Sequence, residues 1–318
     1  SNIDEVRALR VGEACGIKAF MGASTGDMLV DDPDTLDKLF EHSPVMVVTH
    51  CEDSPMIWAN EEAARQKYGE DVPLSEHPNI RSADACYASS SMAIELAKKH
   101  DALLHVLHLT TEKEMALFNP GDRAGKRVTA EVCVHHLWFD ESRYAELGTR
   151  IKCNPAIKRA TDRQALVAAL NDGRIDVIAT DHAPHLADEK ASTYFKAPAG
   201  LPLVQHAVQT LFDLVASGQT TLELVVDKAC HASADLFGVT DRGYVREGYF
   251  ADFVIVDADR PYCVSSDNVL YKCGWSPFEG HEFTSTIDTT IVNGEIVFRD
   301  GSLTGAIAGR RLEFTRAR

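Results

Sequence analysis

The sequence lacks the patterns of a membrane-spanning or secreted chain and the charge of a nucleic-acid-binding one. No apolar run approaches the roughly 20 residues that a membrane helix requires, and the first residues do not show the basic and then apolar pattern of a signal peptide. Acidic residues outnumber basic ones by 48 to 32, and the resulting net charge of −16 disfavours binding to a phosphate backbone. These absences predict a cytoplasmic protein that binds neither membranes nor nucleic acid.

Cysteine pairs at redox or metal-binding spacing are missing as well. The eight cysteines are scattered along the chain without a C-x-x-C pair. In a chain of 318 residues this distribution indicates reduced, packed thiols and not a disulfide framework. With 45% hydrophobic residues, the chain is long enough to bury the core of a large domain with a small satellite.

Short β-rich runs alternate with helical stretches through the first three quarters of the chain. Strands are predicted at 16–21, 45–50, 102–108, 128–134 and 175–180. Helices are predicted at 33–42, 83–99, 162–171, 203–216 and 222–237, and a long polar excursion is predicted between the second strand and the helix at 83–99. Nearly continuous apolar strands separated by helices are typical of a parallel sheet covered on both faces.

The predicted secondary structure changes after Gly243, from alternating strands and helices to short strands. Short strands are predicted at 249–257, 286–292 and 295–298, and Asn293-Gly294 between the last two is a strong hairpin-turn signal. We therefore divide the chain into an α/β portion, residues 1–242, and a small β domain, residues 243–318.

Four of the five predicted parallel strands carry a candidate metal-binding residue. Lys18 lies within the first strand, and His50 and His108 close the second and third. Asp181 follows the fifth. Because catalytic groups project from the carboxyl ends of parallel strands, these side chains are expected to face one centre. Imidazole and carboxylate are ligands that zinc takes. Singly, each histidine has the alternative of an ordinary hydrogen-bonded residue, and Asp181 that of a helix cap.

Lys18 is the most informative of the four. An ammonium group between Ile17 and Phe20 in a buried strand is expected to be costly or to lose its proton. One alternative is a lysine that reaches solvent or forms a salt bridge. The other is a neutral lysine that adds CO₂ to become a carbamate, which is chemically a carboxylate on a long stem and can bridge two metal ions.

Several short motifs carry a resemblance to a known family. GIKAFM at 16–21, THCE at 49–52, VLHLT at 106–110 and TDHAPH at 180–185 resemble successive motifs of the amidohydrolase superfamily. Within it, Asn154-Pro155, the DHAPH segment and SPFEG at 276–280 are most similar to dihydroorotases. The resemblance covers essentially the whole chain in the right order. It implies a (β/α)8 TIM-type barrel, of which the five strands are the fourth to the eighth, with a small C-terminal β domain.

The resemblance also implies a metal centre. Lys18 would be an N6-carboxylated lysine that bridges two zinc ions, although some relatives use an aspartate as the bridging ligand. His50 and His108 would bind the second zinc ion. Asp181 would bind the first zinc ion and act as the catalytic acid and base.

A further set of residues is implied to hold the substrate. Asn154, His185 and the backbone at Ala199 and Gly200 would bind the substrate ring and its carboxylate. Asn154 has the alternative of an ordinary Asn-Pro turn, and His185 that of a capping or supporting residue.

Other polar residues near the strand ends receive no role from the resemblance. His182 is interpreted as a cap or a supporting partner. The remaining residues of this kind are interpreted as structural: Glu131, Cys133, His135 and His136.

One family motif is missing from the sequence. The superfamily carries Asp-x-His-x-His on its first barrel strand, with an arginine shortly after it in dihydroorotases, and this chain contains no His-x-His. The chain also opens without an initiator methionine. We therefore expect it to be a fragment of a longer enzyme, and a barrel without its first three strands to present two unpaired sheet edges.

The activity implied by the resemblance is the zinc-dependent, reversible interconversion of N-carbamoyl-L-aspartate and L-dihydroorotate in pyrimidine biosynthesis. One alternative is another cyclic amidase, a dihydropyrimidinase (hydantoinase) or an allantoinase. Another is an inactive scaffold for aspartate transcarbamoylase. The expected partners are a small-molecule substrate, a second copy of the chain in a homodimer and, for the scaffold, aspartate transcarbamoylase.

Overall fold

Parallel strands form the framework of the protein, whose computed structural model describes residues 2–22 and 29–315. Within these residues, five parallel strands pair in the order in which they occur in the sequence. They are β1 (Gly16–Phe20), β2 (Met46–His50), β3 (Leu104–Val106), β4 (Val128–Cys133) and β5 (Val177–Ala179). Parallel neighbours require crossover connections, so the carboxyl ends of all five strands lie at the same edge of the sheet.

Helices lie in most of the connections between these strands, and others precede β1 or follow β5. They are α1 (Ile3–Ala8), α2 (Pro33–His42), α3 (Ser54–Tyr68), α4 (His77–Ile80), α5 (Ala83–Lys99), α6 (Val134–Trp138), α7 (Tyr144–Leu147), α8 (Ala160–Asn171), α9 (Ala187–Lys190), α10 (Ala207–Ala216), α11 (Leu222–Val226) and α12 (Ala232–Phe237). A π-helical turn, Asp227–His231, joins α11 to α12, so the helical stretch predicted at 222–237 is continuous. In the parts of the chain that the structure describes, no helix has both the length and the apolar character needed to cross a membrane.

The helices at 33–42 and 83–99 were predicted with the bounds that the structure shows, because both have clear start signals. The carboxylate of Asp32 accepts the amide N–H of Thr35 at 2.8 Å, with Pro33 in the first turn of α2. The hydroxyl of Ser82 accepts the amide N–H of Ala85 at 3.2 Å. Side-chain caps and an early proline are the standard markers of a helix start.

The prediction of a polar excursion after β2 is wrong over residues 54–68, which form α3. This helix also has a cap, since the carboxylate of Asp53 accepts the amide N–H of Met56 at 2.9 Å. Its polar and charged residues have good helix propensity, but only Ser54, Ile57 and Ala64 are buried. A helix that buries so few side chains has no strong apolar stripe, and the sequence pattern therefore did not reveal it.

The hydrophobic core lies between the parallel sheet and its helices. β2 is buried at every position because β1 and β3 flank it. Leu36 and Phe40 of α2 are fully buried in the same cluster as Val47 and Leu104 of the sheet. β1 and β5 stand at the two ends of the sheet, which confirms the expectation of two edges.

The C-terminal region forms a small antiparallel sheet. Its strands are β6 (Phe253–Asp257), β9 (Thr286–Val292), β10 (Glu295–Arg299) and β11 (Ser302–Leu303), while β7 (Tyr262–Cys263) pairs with β8 (Glu282–Phe283). Asn293 and Gly294 connect β9 to β10 with φ of 52° and 85°, and two left-handed residues are what a type I′ hairpin requires. The hairpin is confirmed, and the domain boundary at residue 242 stays a prediction.

Candidate metal centre

The carboxyl ends of β2 and β3 bring two histidines into contact. Thr49 pairs with Val106, so His50 at the end of β2 and His108 two residues after β3 lie at nearly the same height. Both side chains are buried, and Nδ1 of His50 lies 3.1 Å from Nε2 of His108. A tetrahedral zinc ion with Zn–N distances of about 2.0–2.1 Å separates two ligand nitrogens by roughly 3.4 Å. The observed spacing therefore suits two ligands of one ion.

The protonation state of His108 also suits a metal ligand. Burial lowers the pKa of His108 to about 4, with His50 and Lys18 adding to the lowering and Asp181 and Glu131 opposing it. The imidazole is thus neutral at physiological pH, which is the form that binds metal. Its Nδ1 is buried and has no hydrogen-bond partner among the described residues. The atom that faces His50 is the other ring nitrogen, Nε2, so Nε2 is the candidate ligand atom of His108.

A buried ion pair between Glu52 and Arg81 lies beside the ring of His50. Oε2 of Glu52 lies 2.9 Å from Nε2 of His50 and 2.5 Å from a guanidinium nitrogen of Arg81. Burial opposes ionisation of Glu52, but the charge of Arg81 and the bond to His50 outweigh it and lower the pKa of this carboxyl. A carboxylate on one ring nitrogen fixes the tautomer and leaves the other nitrogen free for a metal. Sequence reasoning did not assign Glu52 or Arg81, although an acidic residue two positions after a strand-end histidine was a usable signal.

Asp181 and His108 share an unusual backbone conformation. Their φ angles are +47° and +39°, in the left-handed region that costs a non-glycine residue of order 1–3 kcal/mol. Strain of this kind concentrates at active sites. Asp181 is exposed, and its charge raises the pKa of His108. The two residues therefore lie at one end of the sheet and act on each other electrostatically.

Lys18 is exposed, so the prediction that it lies in a buried strand is wrong. The reason is topological: among the residues that the structure describes, β1 is the last strand at its end of the sheet, where Lys18 pairs with Val48 of β2. Its ammonium lies 4.5 Å from the centroid of the Phe20 ring. In the described structure the side chain of Lys18 therefore remains accessible to solvent. Its charge still contributes to the lowered pKa of His108, and its bridging role stays a prediction.

The predicted substrate residues His185, Ala199 and Gly200 come together in one loop. Nε2 of His185 donates to the carbonyl of Ala199 at 3.2 Å. The amide of Gly200 donates to the carbonyl of Lys152 at 2.9 Å, which ties this loop to the segment that carries Asn154. Oδ1 of Asn154 is buried and makes no hydrogen bond within residues 2–22 and 29–315, so it is free to accept one from a ligand.

Gly200 occupies a position that no other residue fits. Its φ is +146°, and a Cβ there would lie 2.5 Å from the carbonyl oxygen of Ala183 and 3.0 Å from Nε2 of His185. We expect Gly200→Ala to lower the free energy of unfolding by about 1–3 kcal/mol, measured by urea denaturation. Gly218→Ala is the control, because Gly218 also has positive φ but open space around it. Equal losses in the two variants would contradict the steric argument.

His182 acts as a helix cap, one of the two roles considered from the sequence. Its Nδ1 accepts the amide N–H groups of Leu203 and Val204 at 2.9 and 3.3 Å.

Cys133, His135 and His136, interpreted from the sequence as structural, form a compact group of metal-ligand atoms at the end of β4, all within 4.8 Å of one another. Sequence reasoning did not recognise this group, although its Cys-x-His-His spacing was visible.

Comparison with known proteins finds similarity to the amidohydrolase family and to proteins named dihydroorotase. Residues 33–297 match the amidohydrolase family. The chain is 32% identical to the dihydroorotase of Halobacterium salinarum over 297 residues, which are 93% of this chain and 67% of the relative. It is 33% identical to the dihydroorotase of Pyrococcus furiosus over 304 residues, 94% of this chain and 65% of the relative. The chain thus spans about two thirds of the length of these relatives.

A solved structure shows the same fold. The L-hydantoinase (dihydropyrimidinase) of Arthrobacter aurescens superposes with a TM-score of 0.86 at 25% identity, covering 95% of this chain and 69% of the hydantoinase chain. With the parallel sheet and the antiparallel C-terminal sheet, this likeness confirms the predicted fold class, a TIM-type barrel portion with a small β domain.

Proposed function

The chain belongs to the amidohydrolase family, and from this membership we propose that it is the metal-binding part of a dihydroorotase, which interconverts N-carbamoyl-L-aspartate and L-dihydroorotate in pyrimidine biosynthesis. The observation that carries the proposal is the pair of buried ring nitrogens of His50 and His108, 3.1 Å apart, at the same edge of the sheet where Asp181 follows β5. Relatives named dihydroorotase, 30% to 36% identical to this chain, support the choice of substrate.

In this proposal Lys18, His50, His108 and Asp181 would hold the metal, and the cofactor would be two zinc ions with Lys18 as a bridging ligand in its N6-carboxylated form. The neutral imidazole of His108 and the 3.1 Å spacing between Nδ1 of His50 and Nε2 of His108 fit such ions. Zinc bound there would polarise the ring carbonyl and lower the pKa of the attacking water. The Glu52 carboxylate holds the ring of His50 in its ligand orientation.

In the proposed reaction Asp181 acts as the catalytic acid and base. Its exposed carboxylate takes a proton from the attacking water and delivers it to the ring nitrogen that leaves as the amide bond breaks. In the reverse direction the same carboxylate removes a proton from the attacking carbamoyl nitrogen. A residue that only exchanges protons serves both directions, as a reversible ring closure requires.

The substrate is anionic and the chain carries a net charge of −16, so binding depends on local donors and not on the overall field. We propose that Asn154, His185 and the backbone at Ala199 and Gly200 hold the ring and its carboxylate. Lys190 keeps this loop in place, because its buried ammonium donates to the carbonyls of Pro198 and Gly200, each at 2.9 Å.

The structural likeness to a hydantoinase favours one second candidate, a dihydropyrimidinase acting on rings without a carboxylate. The test is turnover by the purified full-length protein of L-dihydroorotate, dihydrouracil, hydantoin and allantoin. We expect kcat/KM for dihydroorotate to exceed the others by at least about 100-fold, because donors built for a carboxylate are left unpaired by the other rings. Faster turnover of hydantoin or dihydrouracil would establish the second candidate. Metal-loaded protein that turns over none of the four would indicate a scaffold.

A further inference from the structure

The end of β4, the strand that pairs with β3, carries a second cluster of metal-ligand atoms. Cys133 is the last residue of the strand, and His135 and His136 lie in the first turn of α6. All three side chains are buried, between 0% and 3% exposed. One ligand atom from each lies within 4.8 Å of the other two. The cluster is therefore a compact, dry set of one thiol and two imidazoles.

The cluster leaves polar atoms without partners. Neither ring nitrogen of His135 makes a hydrogen bond to any described residue, and the same is true of Nδ1 of His136. Burying an imidazole nitrogen without a partner costs of order 1–3 kcal/mol. Three such nitrogens in adjacent residues require an explanation.

Nε2 of His136 makes the hydrogen bond that is typical of the non-ligating ring nitrogen in a metal-bound histidine. Nε2 of His136 donates to the carbonyl of Pro155 at 3.2 Å, which places the proton on Nε2 and the lone pair on Nδ1. Histidines that bind metal characteristically donate their other ring N–H to a carbonyl or carboxylate. Nδ1 of His136 is thus held as a free ligand atom.

We propose that Cys133, His135 and His136 bind a zinc ion of their own, separate from the centre at His50 and His108. Tetrahedral zinc at about 2.0–2.3 Å from its donors spaces them by roughly 3.5 Å, so small rotations of the three side chains close the site. A thiolate with two imidazoles is a donor set that selects zinc over magnesium or calcium. The metal replaces the thiol proton of Cys133, which is released to solvent.

Such an ion would have a positioning role. It would fix the turn from β4 into α6, and through the His136 bond to Pro155 it would hold the segment that carries Asn154. The inference depends on the proposed function only for the role of Asn154. The existence of the site depends on the side chains of β4 and α6 alone.

Cobalt substitution distinguishes the two centres. The centre at His50 and His108 has only nitrogen and oxygen ligands, so a thiolate-to-cobalt charge-transfer band in the near ultraviolet reports the Cys133 site alone. We expect the cobalt-loaded full-length protein to show this band, and Cys133→Ser to lose it together with about one metal equivalent per chain. Cys86→Ser is the matched control, because Cys86 is another buried thiol in a separate part of the fold, and this variant is expected to keep the band.

His135→Gln provides a second variant, expected to weaken cobalt binding without removing a thiol. Absence of the band in the wild-type protein would overturn the proposal, and so would a band that survives Cys133→Ser. The readout is spectroscopic and stoichiometric, so it stands whether or not the protein turns over dihydroorotate. Loss of turnover with an intact band would count against the proposed function and leave the zinc site supported.

Discussion

Replacing Asp181 with asparagine is expected to abolish most of the hydrolytic turnover while the metal content stays unchanged. The asparagine keeps an oxygen at the same position, so a ligand atom remains, but it cannot accept and return a proton. Removing a positioned acid–base group costs typically 10²–10⁴-fold in rate. We therefore expect kcat for dihydroorotate to fall by about this factor, with a smaller change in KM, measured in parallel with zinc content per chain.

Asp188→Asn is the matched control for this experiment. Asp188 is an exposed aspartate of the short helix α9, seven positions further along the chain, and its replacement removes the same charge without removing the proton acceptor. This variant is expected to retain wild-type kcat. A kcat for Asp181→Asn within a factor of about three of the wild type would show that another group carries the proton. Loss of zinc with loss of rate would assign Asp181 as a ligand and leave its catalytic role unsupported.

The elements that the sequence predicted well are those whose signals are local. The starts of α2 and α5 follow from caps within three residues, and the hairpin at Asn293 follows from two adjacent residues. α3 was missed because its apolar face is small. Local signals are strong where one turn of chain determines the structure, and weak where burial is decided by a partner that is distant in sequence.

The candidate metal centre likewise combines features that local sequence signals predict with features that depend on contacts between distant residues. The strand-end positions of His50 and His108 were predicted, since strand order and polarity are readable from alternation of apolar runs and helices. The exposure of Lys18 was not predicted, because it depends on β1 standing at the end of the sheet. The pairing of Glu52 with Arg81 joins residues 29 positions apart through the fold, and no periodicity in the sequence signals such a pair.

The buried pair of Glu52 and Arg81 leads to the largest expected change in stability. Glu52 is fully buried, and Arg81 is 8% exposed. Removing one partner of a buried ion pair leaves an uncompensated charge and costs about 3–5 kcal/mol. We therefore expect Arg81→Met to lower the free energy of unfolding by this amount at neutral pH, measured by urea denaturation. Arg143→Met is the control, because its pair with Glu146 is exposed and is worth at most about 1 kcal/mol.

The pH dependence of this variant gives the sharper test. In the wild type, burial of Glu52 is outweighed by Arg81 and His50, so its folded pKa lies below the unfolded value of about 4.3. The pair thus contributes stability above that pH and loses it as the pH falls through the folded pKa. Without Arg81, burial dominates and raises the pKa of Glu52. The loss of stability in Arg81→Met is therefore expected to become smaller as the pH is lowered from 7 towards 5.

Adding Glu52→Gln to Arg81→Met should restore most of the lost stability at pH 7, because a neutral amide replaces the unpaired buried carboxylate. A double variant as unstable as Arg81→Met alone would mean that the loss comes from packing around Arg81 and not from the charge of Glu52.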